Sequence, residues 1–325
     1  MRITEHFVES GGWFIHLKQS WAPEHLDRTL RPLVIIPGYG MNSFIFGFHP
    51  QGTSMARCLA EAGFEVWSVN MRGQGPSRPM NGRVIEPSLE AYATVDLVNA
   101  IEFILAETAC ETNRVDLIGA SLGGSVVYAY LALHHEQNKV GSVVTIGGPL
   151  RWVVVHPMLK VAFASPAIAG MVRFPYTQML ARHAFPLLSR IPGVLSLYMN
   201  AKHLDLSHAQ DLTKTVDNLH GSINRDLAFW IQNTDLVVAG VNITEALVKV
   251  RHPLMVILGN KDGIVPPETA LAALDAWGGE DKTSINVGTP DDWYAHADLF
   301  VGNEAPQRVF TPIADWLLAR QTYRA

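Results

Sequence analysis

The chain has 325 residues, 48% of them hydrophobic, enough for one large core or two ordinary ones. Its 25 basic and 30 acidic side chains leave a formal net charge of −5, so no overall basic field invites nucleic acid, which is excluded as a partner. The longest uncharged run is interrupted by "GASLGG", which excludes a membrane-spanning helix, since that needs roughly 20 continuous apolar residues.

The start, "MRITEHFVES", has no apolar stretch behind a basic tip and is not read as a secretory signal. "WFIHLKQ" reads as an early strand, "LVIIPG" as a buried strand, and "SMARCLAEAG" as a helix closing on Gly63. "EVWSVN" follows as a strand and "LEAYATVDLVNAIEFILAE" as a helix. "RVDLIGAS" and "VGSVVTIGG" are strands on either side of the helical "LGGSVVYAYLAL". After a long interruption, the strands "PLMVILGN" and "KTSINVG" alternate with the helices "PETALAALDAW" and "PQRVFTPIADWLLARQ". Such alternation predicts an α/β protein with a mostly parallel central sheet and helices on both faces. Ligands of such sheets bind at the strands' carboxyl ends. Cys58 and Cys110 both fall in helix-like segments and give neither a disulfide framework nor metal spacing, so a reducing, cytoplasmic setting is expected.

Ser121 lies between a buried strand and a helix, and Gly119, Ser121 and Gly123 match G-x-S-x-G. In that pattern the glycines let a strand reverse sharply into a helix and leave the hydroxyl exposed. A serine is a poor nucleophile without a histidine base, and the histidine needs an acid to fix its tautomer. "LGNKDGIVPPE" puts Asp262 just beyond a buried strand, where it could equally cap the helix that follows. "DDWYAHADLFVG" puts His296 between the last strand and the last helix. Asp291, Asp292 and Asp298 are nearer to His296 in sequence but share its loop, which favours Asp262 as the partner. The order Ser, Asp, His is that of the α/β-hydrolase arrangement. Backbone N–H groups of Tyr39, in the glycine turn "PGYGMNS", and of Leu122 are the candidate oxyanion donors. "GYG" is not read as a dinucleotide fingerprint, because a third glycine is missing and the next strand ends in Asn70 rather than an acid. No metal or other cofactor is expected.

With these residues in place, the chain resembles the α/β-hydrolase fold superfamily over nearly its whole length outside one insertion. "FEVWSVNMRGQGPSR", "YATVDLVNAIEFI" and "HADLFVGNEAPQRVF" are similar to segments of a branch that includes acid lipases and polyhydroxyalkanoate synthase-like hydrolases. The resemblance implies an α/β-hydrolase fold with an inserted, mainly helical cap. It assigns the nucleophile, acid and base to Ser121, Asp262 and His296, and the oxyanion donors to Tyr39 and Leu122. The chain departs from the family in having Pro37 where a His-Gly pair is usual before the oxyanion turn. The synthases carry a cysteine at the elbow, so Ser121 favours hydrolysis over polymerisation.

The expected division is a hydrolase core of residues 1–149 and 246–325, with the cap at 150–245. The cap's first half holds Trp152, Phe163, Met171, Phe174, Tyr176, Met179, Phe185 and Tyr198, which form its own core and in part line a cavity suited to an acyl chain. The expected function is hydrolysis of carboxylic esters with medium or long apolar acyl chains, the substrate being a small-molecule ester or lipid. A thioesterase or carbon–carbon bond hydrolase with the same triad, and a non-catalytic binding module, are the alternatives. From Arg151 to Lys202 there are six cations (Arg151, Lys160, Arg173, Arg182, Arg190, Lys202) and no Asp or Glu. They snorkel to water or pair with Asp205, Asp211, Asp217 and core carboxylates, or they make the cap a basic, apolar surface for transient contact with anionic lipid or for substrates carrying phosphate or carboxylate.

Overall fold

A computed structural model of the chain describes residues 1–81, 85–172 and 195–321. The expected cap residues Phe174, Tyr176, Met179 and Phe185, with Arg173, Arg182 and Arg190, lie outside the described residues. The main sheet begins with a strand that the sequence reading left unassigned, β1 (Arg2–Ser10), paired antiparallel with β2 (Trp13–Trp21). Gly11 and Gly12, at φ of 52° and 83°, make the two-residue turn between them, the left-handed geometry that a tight hairpin requires. Along the chain there follow β3 (Leu33–Ile36), β4 (Val66–Asn70), β5 (Arg78–Pro79), β6 (Val115–Ala120) and β7 (Val140–Ile146). A small hairpin of β8 (Val237–Val238) and β9 (Val241–Asn242) precedes β10 (Leu254–Gly259) and β11 (Lys282–Val287). Across the sheet the order is β1-β2-β4-β3-β6-β7-β10-β11, with β5 against β2, and every pair from β4 to β11 is parallel.

Alternate residues of each central strand enter opposite cores. Val34, Ile36, Leu117, Leu254 and Val256 pack with the helices Leu97–Glu107, Leu122–Leu133 and Pro267–Ala276. Leu33, Ile35, Ile118, Met255 and Ile257 pack with Met55–Glu61 and Thr311–Leu318. Because both faces are covered, β3, β4, β6 and β10 are buried at every residue; β3 and β10 read as unbroken apolar runs, while β4 and β6 also bury Ser68, Asn70 and Asp116. Cys58 sits in the helix Met55–Glu61, but Cys110 does not sit in one: the helix before it ends at Glu107, and Cys110 lies in the bend beyond, with its thiol donating to Glu65. Among the described residues no helix is long and apolar enough to cross a membrane.

Between β7 and β10 the described chain adds short helices, the longer helix Gly221–Asn233 and the β8–β9 hairpin, none of which joins the main sheet. The loop after β4 is fixed by a buried ion pair. Arg72 Nη2 and Nε reach the Asp96 carboxylate at 2.6 and 2.9 Å, and Ser10 Oγ donates to the same carboxylate at 2.6 Å. A π-helical turn at Tyr92–Asp96 interrupts the helix that carries Asp96. Both partners of the pair are fully buried, so removing one leaves an uncompensated charge. Asp96→Ala is expected to lower stability by about 3–5 kcal/mol in urea unfolding, whereas breaking the exposed Arg57–Glu61 pair by Glu61→Ala should leave the unfolding midpoint nearly unchanged.

Candidate active site

β6 ends at Ala120, and the helix starting at Leu122 leaves Ser121 alone to make the turn, at φ 53° and ψ −123°. This non-glycine residue with positive φ is held from both sides: its N–H donates to Ile146 O at 2.8 Å and its carbonyl accepts from Gly124 N at 2.8 Å. The flanking glycines are required by space. A Cβ at Gly119 would lie 2.5 Å from Gly124 Cα, and one at Gly123 would lie 2.3 Å from Ile36 O. The expected reversal is therefore present, with a strained serine of the kind that persists at functional sites at a cost of about 1–3 kcal/mol.

Asp262 and His296 come from the loops after β10 and β11, and the structure brings them together. Asp262 Oδ2 lies 2.6 Å from His296 Nδ1, and both residues are buried. Asp262 Oδ1 accepts from the N–H groups of Ile264 and Val265 at 2.9 and 2.8 Å. The helix Pro267–Ala276 is capped by no side chain, so Asp262 orders its own turn and holds the imidazole. With Oδ2 accepting from Nδ1, the imidazole is held with Nε2 on its far side. Ser121 and His296 both border the glycines after β7. A Cβ at Gly147, itself at φ 57°, would lie 2.9 Å from His296 Cε1, and one at Gly148 would lie 3.4 Å from Ser121 O. Among the described residues no hydrogen bond joins Ser121 Oγ to His296. Such contacts commonly tighten only when substrate is bound.

The backbone N–H of Leu122 opens the helix and that of Tyr39 lies in the turn after β3; neither donates to an acceptor among the described residues. Gly38 brings the second turn against the first, since a Cβ there would lie 2.8 Å from Ser121 Cβ. Two cavities flank the site. One of about 80 Å³ is largely apolar, bounded by Met41, Ile45, Tyr198, Leu212, Val216 and Val301. The other, of about 20 Å³, has Tyr39, Gln74, Tyr92, Leu122 and His220 in its wall. Among the described residues no three His, Cys, Asp or Glu side chains gather as a metal site.

The sequence reading missed how the segments between β7 and β10 are stitched to these loops. Leu197 O accepts from Gly263 N at 3.1 Å and Tyr198 O from Ala297 N at 2.8 Å, beside Asp262 and His296 respectively. Asn200 N donates to the Asp298 carboxylate at 3.0 Å, and Asn200 Nδ2 to Trp293 O at 2.8 Å. Further on, Asp217 N donates to Gly40 O at 2.8 Å, and the Asp217 carboxylate accepts from Gly75 N at 2.7 Å and Asn42 Nδ2 at 3.1 Å. Nothing local in the sequence announces these pairs, whose members lie far apart along the chain.

Asp298 is placed as a clasp: it also accepts from Ala295 N at 2.7 Å, and makes no hydrogen bond to His296 among the described residues. Burial raises its pKa to about 7, opposed by the N–H donors of Ala295 and Asn200, with the Asp262 charge adding to the rise and His296 opposing it.

A model of the α/β hydrolase fold matches residues 31–291, which takes in Ser121 and Asp262 and stops short of His296. No curated protein sequence matches the chain. Among solved structures, the monoacylglycerol lipase of Paleococcus ferrophilus is similar at TM-score 0.61 and 18% identity, covering 94% of this chain and 99% of that one. The esterase EaEST of Exiguobacterium antarcticum is similar at TM-score 0.63 and 16% identity, covering 97% and 100%. A meta-cleavage product hydrolase of Pseudomonas fluorescens is similar at TM-score 0.61 and 12% identity, covering 96% and 97%. At these identities the likeness is one of fold.

The raised pKa of Asp298 has a direct consequence for stability. The folded state holds this proton more tightly than the unfolded chain, so the group's contribution is present below the unfolded value, about 4, and is lost as pH rises through about 7. A carbon-13 carboxyl titration is expected to show one aspartate with a midpoint near 7 that Asp298→Asn removes. The stability of that variant relative to wild type should improve between pH 4 and 7.

Proposed function

The chain belongs to the α/β-hydrolase fold family, and from that premise we propose that it is a serine hydrolase of carboxylic esters with apolar acyl chains of medium or long length. The observation that carries this reading is the 2.6 Å bond from His296 Nδ1 to Asp262 Oδ2, made beside a serine held at φ 53°. Ser121 Oγ attacks the ester carbonyl while His296 Nε2 takes its proton, and the oxyanion is received by the N–H groups of Tyr39 and Leu122. His296 returns the proton to the departing alcohol. Water, deprotonated by the same imidazole, then attacks the acyl carbon, the bond to Ser121 Oγ breaks with release of the acid, and His296 returns the proton to Oγ. The reading needs no metal or other cofactor.

Residues 150–245 act as the cap over a core of 1–149 and 246–325, and the stitches to the acid, base and oxyanion loops support that division. The apolar cavity beside His296 supports an acyl chain, each buried methylene contributing about 0.8 kcal/mol. Thioesters and carbon–carbon bonds are open to the same nucleophile and belong in the substrate panel. A binding module without catalysis is disfavoured, since each member of the triad is present.

A fluorophosphonate probe is expected to label Ser121, and labelling that survives Ser121→Ala would overturn the assignment. Asp262→Asn and His296→Ala should each lower turnover by about 10³-fold or more. Across p-nitrophenyl esters of graded length, kcat/KM should rise from acetate toward medium chains; a maximum at acetate would reject the acyl preference.

Contact of the cap with anionic lipid belongs to the same reading. Met158, Val161, Ile168 and Met171 are 66, 78, 61 and 73% exposed, in a stretch with no acidic residue, whereas Arg151 is already paired with Asp235 at 3.1 Å. The Ser121→Ala protein should co-sediment with anionic vesicles at low salt and lose them at high salt. Equal binding to neutral vesicles would reject the electrostatic contact.

A further inference from the structure

The loop "MRGQG" that leaves β4 carries a side chain that the reaction scheme leaves unused. Gln74 is 6% exposed, and both ends of its amide are engaged. Oε1 accepts from Met71 N at 3.0 Å, and Nε2 donates to Gly38 O at 3.1 Å. A backbone N–H can only donate and a carbonyl oxygen can only accept, so the two ends of the amide cannot be exchanged. The loop beneath it is rigid, because Arg72 is locked to Asp96 by two hydrogen bonds from its guanidinium and one from its backbone N–H.

Gly38 O and the Tyr39 N–H belong to the same peptide unit. Among the described residues no peptide bond is cis, so these two groups lie in one plane and point in opposite directions. A donor that holds the oxygen therefore sets the direction of the hydrogen. Gly38, with no side chain to restrict it, offers little resistance of its own to a rotation of this plane. The unit lies against the nucleophile, since a Cβ at Gly38 would be 3.3 Å from Ser121 Oγ. Gln74 also shares the wall of the 20 Å³ cavity with Tyr39 and Leu122, the residues of both candidate donors.

We propose that Gln74 is a positioning residue for the oxyanion: by holding the Gly38 carbonyl, it aims the Tyr39 N–H at the oxygen that becomes negative when Ser121 attacks. This rests on the reading of Ser121 as nucleophile. The effect is concentrated in the transition state, because an ester carbonyl in the ground state is a weaker acceptor than the alkoxide and gains less from an aligned donor.

Two variants of similar length separate this role from packing. Gln74→Met removes the donor. Gln74→Glu keeps an acceptor for Met71 N but turns a second acceptor toward Gly38 O. For each, kcat and KM on a p-nitrophenyl ester are measured separately, together with inhibition by an alkyl trifluoromethyl ketone, whose hemiketal on a serine carries an oxyanion. Outright loss of an oxyanion donor costs about 10²–10³ in kcat; a misaimed donor is expected to cost about 10- to 100-fold. Both variants should show that loss in kcat with KM within about threefold, and should bind the ketone more weakly by a similar factor. Thermal unfolding midpoints close to wild type would accompany the effect in at least one of them. Wild-type kcat and ketone affinity in a folded Gln74→Met protein would overturn the proposal, as would a loss carried wholly by KM. Ser121→Ala in the same assays tells the two failures apart. If it retains turnover, the nucleophile reading falls and takes the proposal with it. If it is inactive while the Gln74 variants match wild type, only the positioning role falls.

Discussion

The rest of the site depends on backbone clearance at one turn. Between the last buried residue of β6 and the first of the helix Leu122–Leu133 there is room for a single residue, and the carbonyl of Ile36 and the backbone of Gly124 stand closer than any side-chain carbon could tolerate. Ser121 is left in a conformation that L-residues avoid, and the sheet supplies what keeps it there: a hydrogen bond to the end of β7 on one side and to the first turn of the helix on the other. The close approach also presses the Gly38 turn against Ser121 Cβ. Local strain is sustained because it is over-determined by neighbours that have their own reasons to stay in place.

Asp262 and His296 are organised by a different principle. Their loops are joined to each other, through Asn260 Oδ1 accepting from Tyr294 N and Tyr294 O accepting from Lys261 N, and to the segment that begins at Leu195. Tyr198 lies with its ring 6.1 Å from that of His296 and lines the apolar cavity. One short piece of chain thus touches the loop of Asp262, the loop of His296 and the apolar cavity bounded by Met41. The segment around Asp217 does the same for the turn of Tyr39 and the loop of Gln74.

How much of this was legible in the sequence follows from where the information is local. β3 and β10, buried on both faces, read as apolar runs, and the glycine spacing about Ser121 is a steric requirement written into adjacent residues. Asp262 and His296 were accessible through their positions after predicted strands. β1 was not, because it is an edge strand whose residues are mostly exposed, so its polar composition imitates a disordered start. Cys110 was read as helix-like although the predicted helix already stops at Glu107, where the chain also leaves the helix; its apolar surroundings reflect burial against Glu65, not helical structure. The Asn200–Asp298 and Asp217–Gly75 bonds join residues 98 and 142 positions apart, and their members are unremarkable in their own neighbourhoods.

β7 and β10 are hydrogen-bonded neighbours, Leu254 opposite Val143, although residues 147–253 separate them along the chain. The sheet already holds the two ends of that excursion together. The entropy of closing a flexible loop grows only with the logarithm of its length, each doubling costing about 0.6 kcal/mol. Lengthening or replacing the outer part of the excursion is therefore thermodynamically cheap, provided that the contacts of Leu197, Tyr198, Asn200 and Asp217 survive. The architecture thus separates a connection whose length costs the fold little from a few backbone tethers that hold it to the loops of Asp262, His296 and Tyr39.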